Sequence, residues 1–172
     1  MGTNWFGKPV QRVEDPRLLR GKGTYVDDIS LPGMLHAALL RSPHAHARII
    51  GIDTAAARAQ PGVHLVLTAE DVGEALEPSP LLVPHHALTQ PRTQFPLARD
   101  EVHYTGEAVA LVVAEDRYIA EDALELINVA YEPLPVVHSL EGAHEPGAPL
   151  VHADVPGNIA AHFIQQIGAP DE

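Results

Sequence analysis

The sequence predicts an α/β fold: one compact body with irregular flanks. Three observations carry that prediction. Apolar segments of strand length recur between turn signals, two helical stretches stand between such segments, and 16 prolines and 13 glycines cut the 172 residues into short elements. Proline at roughly twice its usual frequency argues against long helices. The length suits one hydrophobic core and is short for two. With 45% apolar and 20% charged residues the composition is that of a folded, soluble chain.

Residues 1–33 show no sustained period of 2 or 3.6 and end in the turn signal Leu31-Pro32-Gly33, so they read as an extended arm with at most one turn of helix. Residues 35–40 and 47–53 read as strands separated by Ser42-Pro43, because proline cannot donate to a ladder. Residues 54–59 form a short helix opened by Asp53 or Thr54 and closed by Pro61-Gly62. Residues 63–67 return as a strand, and Thr68-Ala69-Glu70-Asp71 is the capped start of another brief helix.

The next stretch, 77–99, holds Pro78, Pro80, Pro84, Pro91 and Pro96 and is expected to be a long surface excursion. A loop of that length in a compact domain usually binds something or lies on a neighbour. The near-continuous apolar run at 108–114 reads as a strand covered on both faces. From Asp116 a helix carries Ile119, Ala123, Leu126 and Ile127 on one stripe and Glu121, Asp122 and Glu125 on the others. Residues 129–132 form a last strand, stopped by Pro133 and Pro135, and the tail from 139 is rich in turn formers. The expected architecture is therefore an arm (1–33), a body (34–138) with two βαβ-like units on a mixed sheet, and an irregular tail (139–172).

Composition excludes several classes of function. There is no cysteine, so this chain forms no disulfide and offers no thiolate to an iron–sulfur cluster. The start, Met1-Gly2-Thr3-Asn4-Trp5-Phe6-Gly7-Lys8, lacks a basic and then apolar leader pattern. No apolar stretch approaches the ~18–20 residues that cross a bilayer, so a cytoplasmic, non-membrane protein is expected. Net charge is −12, unevenly placed: in residues 1–60 eight Lys/Arg against five Asp/Glu give +3, which leaves −15 for the remainder. An acidic body argues against nucleic acid as partner, whereas a basic arm suits an acidic protein neighbour.

Eleven histidines invite a search for metal sites. His44 and His46, two apart, share one side of an extended segment, and a third donor would complete a site. No Glu or Cys stands at ligand spacing beside them, so hydrogen-bonding turn histidines are the expectation and no metal ligand is assigned. His85-His86 lies in the Pro-rich loop, and His36, His64 and His103 sit in or beside strands as partly buried residues. Ser42, Ser79 and Ser139 have no nucleophile elbow around them, and Gly21-Lys22-Gly23 fits neither phosphate-loop pattern. The acidic pairs Glu14-Asp15 and Asp27-Asp28 are expected to pair with Arg12, Arg17, Arg20 and Lys22. No catalytic or cofactor-binding residue emerges from the residues alone.

Several ordered motifs nevertheless carry a family resemblance. They are Arg12-Val13-Glu14-Asp15-Pro16-Arg17-Leu18-Leu19-Arg20-Gly21-Lys22-Gly23-Thr24-Tyr25-Val26-Asp27-Asp28, Leu31-Pro32-Gly33-Met34-Leu35-His36-Ala37, and Arg41-Ser42-Pro43-His44-Ala45-His46-Ala47-Arg48-Ile49. Further along come Pro61-Gly62-Val63, Leu67-Thr68-Ala69-Glu70-Asp71-Val72, Val102-His103-Tyr104-Thr105-Gly106-Glu107-Ala108-Val109-Ala110 and Tyr131-Glu132-Pro133-Leu134-Pro135. In this order they resemble the large subunit of the molybdenum hydroxylases, the family of xanthine dehydrogenase, aldehyde oxidase and aerobic carbon monoxide dehydrogenase.

The resemblance implies that 34–138 is the α/β hammerhead domain of such an oxidoreductase and that 139–172 leads into a molybdopterin-binding domain. The family's cofactor-binding segments and catalytic glutamate lie further along a longer chain, so none is assigned here. The implied role is structural: bracing the cofactor domains and docking an iron–sulfur subunit. Molybdopterin, iron–sulfur clusters and often FAD would belong to the assembled complex, with the rest of the large subunit, the iron–sulfur subunit and often a flavin subunit as partners. The arm's Arg17, Arg20 and Lys22, with Arg41, His44, His46 and Arg48, are the expected docking residues. The alternative is a stand-alone interaction or small-ligand module using the 77–99 loop.

Overall fold

A computed structural model describes residues 7–165, 167 and 168. The leader reading at residues 1–6 and the end of the tail at 169–172 lie outside the described residues. The chain divides into two compact units, residues 1–34 and 35–172.

The first unit spans residues 1–34. An α-helical turn among its described residues, α1 (Asp15–Leu18), starts where Pro16 supplies a preset backbone angle and needs no amide partner. The Asp15 carboxylate accepts from the backbone N–H and the guanidinium of Arg12 at 3.1 and 3.2 Å. Asp28 accepts from the Tyr25 N–H at 2.9 Å across a 3₁₀ turn, Val26–Asp28. Arg17, Arg20 and Lys22 are exposed.

The second unit runs β1 (His36–Arg41), β2 (Ala47–Asp53), α2 (Ala55–Ala59), β3 (Val63–Thr68), α3 (Ala69–Val72), β4 (Glu101–Val102), β5 (Ala108–Ala114), α4 (Arg117–Glu125), β6 (Asn128–Pro133) and α5 (Leu140–Ala143). The helix starts follow capping chemistry. Thr68 and Asp71 satisfy each other's backbone amides in a capping box, the Asp116 carboxylate accepts from the Ile119 N–H at 2.8 Å, and the Ser139 hydroxyl accepts from the Gly142 N–H at 3.0 Å.

The α/β class stands, but the strands pair differently from the single mixed sheet expected. They form two three-stranded sheets, ordered β1-β5-β3 and β4-β2-β6, and every pairing is antiparallel. The strand, helix, strand order is present, yet α2 carries the chain from one sheet to the other and α4 carries it back. Residues 54–62, the link through α2, fall short of the dozen or so residues that a parallel crossover needs.

The apolar run of β5 is covered on both faces, as its composition required. Ala110, Val112 and Ala114 join Val66 of β3 and Ala120 and Ala123 of α4 in the main core, all at most 1% exposed. On the other face Val109 packs with Ala47, Ala98 and Val102 in a second cluster, and Leu111 borders a third around Leu76 and Leu97. Alanines dominate the helix–sheet contact, which lets the short α4 approach closely. Gly62 sits at φ +84° and a Cβ there would meet Ile119 Cδ1 at 2.8 Å, so this turn onto α4 requires glycine.

The Pro-rich excursion carries no α-helix or β-strand, as expected, but its end is not a surface feature: Leu97 and Ala98 are buried, and the Ala98 N–H donates to the Ala108 carbonyl at 2.8 Å. The tail folds around Asn158. Its side-chain amide donates to the carbonyls of Ala143 and Pro149 at 3.0 and 2.9 Å, and its carbonyl oxygen accepts from the Val151 N–H at 2.9 Å. Asn158 adopts φ +56°, a left-handed conformation that Asn tolerates better than most residues.

Candidate functional site

The pairing of β2 with β4 builds the site. Ala47 stands opposite Val102 and Arg48 opposite Glu101. Continuing that register by one residue sets His46 opposite His103. Side chains alternate across a strand, and Ala47 and Val102, both 0% exposed, take the inner face. His46, Arg48, Glu101 and His103 therefore share the outer face of one short ladder.

Their contacts follow from that placement. Glu101 Oε2 lies 3.9 Å from His46 Nε2 and 4.0 Å from His103 Nε2, and its Oε1 lies 3.7 Å from Arg48 Nε. Glu132, across from Arg48 on β6, takes the other side of the guanidinium in a direct ion pair. The rings of His46 and His103 stack at 5.8 Å, and His152 from the tail lies against His103 at 4.3 Å.

Two groups lock this arrangement from behind. The Pro135 carbonyl lies 2.8 Å from His46 Nδ1. A carbonyl only accepts, so that nitrogen carries the hydrogen. Glu107, 5% exposed, accepts from the His103 backbone N–H at 2.5 Å, with His103 Nδ1 at 3.8 Å. Burial pushes the Glu107 carboxyl up, but the hydrogen bonds and charge of His103, with a further bond from the Tyr104 N–H, outweigh it and leave it below the usual carboxylate range. Burial, together with unfavourable electrostatics from His103 and Arg92 that the Glu107 carboxylate only partly offsets, lowers His152 below an ordinary imidazole. Beside Glu101, His103, Glu107 and His152 a cleft of about 710 Å³ opens, walled by residues 92–95 of the Pro-rich loop and 151–154 of the tail.

The histidine pair read from the sequence is divided. The segment at 42–46 is bent rather than extended. The Ser42 hydroxyl accepts from the His44 N–H at 3.0 Å, and the His44 ring packs 4.8 Å from Tyr131, while His46 turns to His103. Burial raises the Tyr131 phenol, partly offset by a hydrogen bond with Ser42. Arg41 donates to the Gly106 carbonyl at 2.8 Å and Arg48 is held between two glutamates, so both act as internal ties. Sequence reasoning missed Glu101, His103, Glu107 and His152. The available signal was alternation, His46-Ala47-Arg48 against Glu101-Val102-His103, but a two-residue strand gives no pattern that predicts its partner.

Comparison with known proteins now places the chain. A family model described as the a/b hammerhead domain of aldehyde oxidase and xanthine dehydrogenase matches residues 20–135. The chain belongs to this hammerhead family. It is 49% identical over 150 residues to the carbon monoxide dehydrogenase large chain of Afipia carboxidovorans, covering 87% of this chain and 18% of that one. It is 43% identical over 172 residues to the nicotine 6-hydroxylase large subunit of Paenarthrobacter nicotinovorans, covering 98% and 20%. Among solved structures, quinoline 2-oxidoreductase from Pseudomonas putida 86 superposes with a TM-score of 0.72 at 48% identity, over 80% of this chain and 17% of that one. The hammerhead chain thus spans about a fifth of the length of the curated relatives it matches. No helix among the described residues is long and apolar enough to cross a membrane.

Proposed function

We propose that this chain is the hammerhead part of a molybdopterin-dependent oxidoreductase, either as a domain or as a separately encoded piece, and that it works structurally. It braces the cofactor-binding part of the large subunit and docks an iron–sulfur partner, with a flavin subunit in the complete assembly. The observation that supports this reading is 43–49% identity across almost the whole chain to large subunits whose names specify different substrates. A region this similar both to an enzyme named for carbon monoxide and to one named for nicotine suits a shared framework rather than substrate choice.

The residues of the cleft do not suit a molybdenum cofactor, which carries an anionic phosphate. Asp100, Glu101, Glu107 and Asp154 outnumber Arg92 and Arg99 in the cleft wall, and Arg92 is already paired with Asp154. Docking falls instead to the exposed cations of the arm, Arg17, Arg20 and Lys22, as a basic patch for an acidic subunit face.

Capture through a tag on this chain, from the cells that make it, tests the reading. Recovery of polypeptides bearing molybdenum and iron–sulfur clusters supports it, and a chain that emerges without them contradicts it. A second reading, a small-ligand module, draws on the loop-walled cleft; it expects a solitary chain with an organic ligand bound.

A further inference from the structure

We propose that His46, Glu101 and His103 form a binding site for one divalent transition-metal ion, with zinc as the type ion. His46 Nε2 is buried and has no hydrogen-bond partner among the described residues. With the hydrogen on Nδ1, held by the Pro135 carbonyl, Nε2 of the neutral ring presents a bare lone pair. That lone pair faces a carboxylate oxygen at 3.9 Å, an arrangement that two acceptors do not favour unless a cation sits between them.

The third donor is in place. His103 Nε2 approaches the same oxygen, Glu101 Oε2, at 4.0 Å, and the three ligand atoms all lie within 4.8 Å of one another. Bonds of about 2.0–2.1 Å around a tetrahedral ion put neighbouring ligand atoms about 3.3 Å apart. Side-chain movements of under about 1 Å bring the three donors to that spacing. Two imidazoles and one carboxylate suit zinc and its neighbours better than calcium or magnesium, which prefer oxygen alone.

The surroundings resemble the outer shell of a metal centre. The ring nitrogen of His46 turned away from the site is bonded to a backbone carbonyl, and that of His103 faces the Glu107 carboxylate, the two supports that fix metal-binding histidines. Arg48 holds the other oxygen of Glu101 and leaves Oε2 to the histidines, while Glu132 offsets its charge. The donors are partly exposed, with 11%, 31% and 24% of the His46, Glu101 and His103 side chains accessible, and the cleft that Glu101 and His103 line gives an ion and its remaining water ligands a way in from their side. A bound ion would pin β2 to the two-residue β4, the shortest strand of the fold.

The test is a titration of the full chain with zinc, read by competition against a chromophoric chelator, and with cobalt, read by visible absorption. One ion per chain is expected, with the intense visible band of a four-coordinate cobalt site. Glu101→Gln and His103→Gln should each weaken binding at least about tenfold, whereas His64→Ala, on β3, should leave it unchanged. Diethylpyrocarbonate modification of the unaltered chain gives a readout free of folding artefacts, since zinc should protect His103. Absence of one-to-one binding, binding indifferent to both substitutions, or protection that leaves out His103 would each overturn the site.

Discussion

His46 and His103 stack across the β2–β4 ladder with ring centroids 5.8 Å apart, each within 4.0 Å of one oxygen of Glu101. The relationship joins a bend after the first strand to the end of a two-residue strand beyond the Pro-rich excursion, so it exists only once β4 has paired with β2 in the second sheet. The stability of the sheets is therefore a precondition for the site.

Val112 is 0% exposed at the centre of β5 and packs in the main core. Val112→Ala is expected to cost about 2 kcal/mol, from lost burial and the residual cavity. Urea unfolding followed by circular dichroism measures it, and an unchanged midpoint would show that β5 is not central to the core.

Arg48→Ala removes ion pairs from a side chain that is 48% exposed. The stability loss should stay at or below about 1 kcal/mol, because exposed pairs are screened. The same denaturation experiment checks it, and a loss as large as that of Val112→Ala would mean that the ladder depends on this arginine.

Asp71 sits in the capping box of α3 and bonds Arg58 at 2.7 Å. Burial raises its carboxyl, but hydrogen bonds from Thr68 and Arg58 and the charge of Arg58 together lower it beneath its ordinary 3.8. Because the folded value lies below the unfolded one, its contribution is fully present above about pH 4 and is lost as pH falls through the folded value. Asp71→Asn should therefore flatten the fall of stability with acid in that window, measured by melting at a series of pH values. An unchanged acid slope would refute the assignment.

Large apolar side chains stand exposed along the chain, among them Val13 at 96%, Leu82 at 89% and Ile164 at 87%. Expressed by itself the chain should self-associate and bind a hydrophobic dye, and Leu82→Lys with Ile164→Lys should reduce both. Light scattering decides. A monodisperse monomer with little dye binding would contradict the proposed role as a bracing piece.

Charge reversal of Arg17, Arg20 and Lys22 should weaken capture of an acidic partner and remove much of its salt dependence. Arg41→Ala should instead lower stability, because its guanidinium serves the Gly106 carbonyl. Equal capture by the parent and the reversed variant would move docking away from the arm.

Much of the fold was legible in the sequence because local chemistry dictated it. Thr68 and Asp71, Asp116, and Pro61-Gly62 mark helix ends that the structure places within a residue or so. The uninterrupted run of β5 signalled burial on both faces. Strand partnership was not legible, since periodicity says which face is apolar but not which sheet a strand joins. The functional cluster was hidden for the same reason. His46 was visible as a donor, but its neighbours are supplied by a pairing between distant segments, and Glu107 is buried beneath a turn that reads as ordinary polar sequence.

The most direct test of the central claim is the native mass and metal content of the complex isolated through this chain from its source cells. The account predicts a multi-subunit assembly containing molybdenum and iron. A chain recovered alone, with neither, would contradict it and leave the hammerhead fold without its proposed partners.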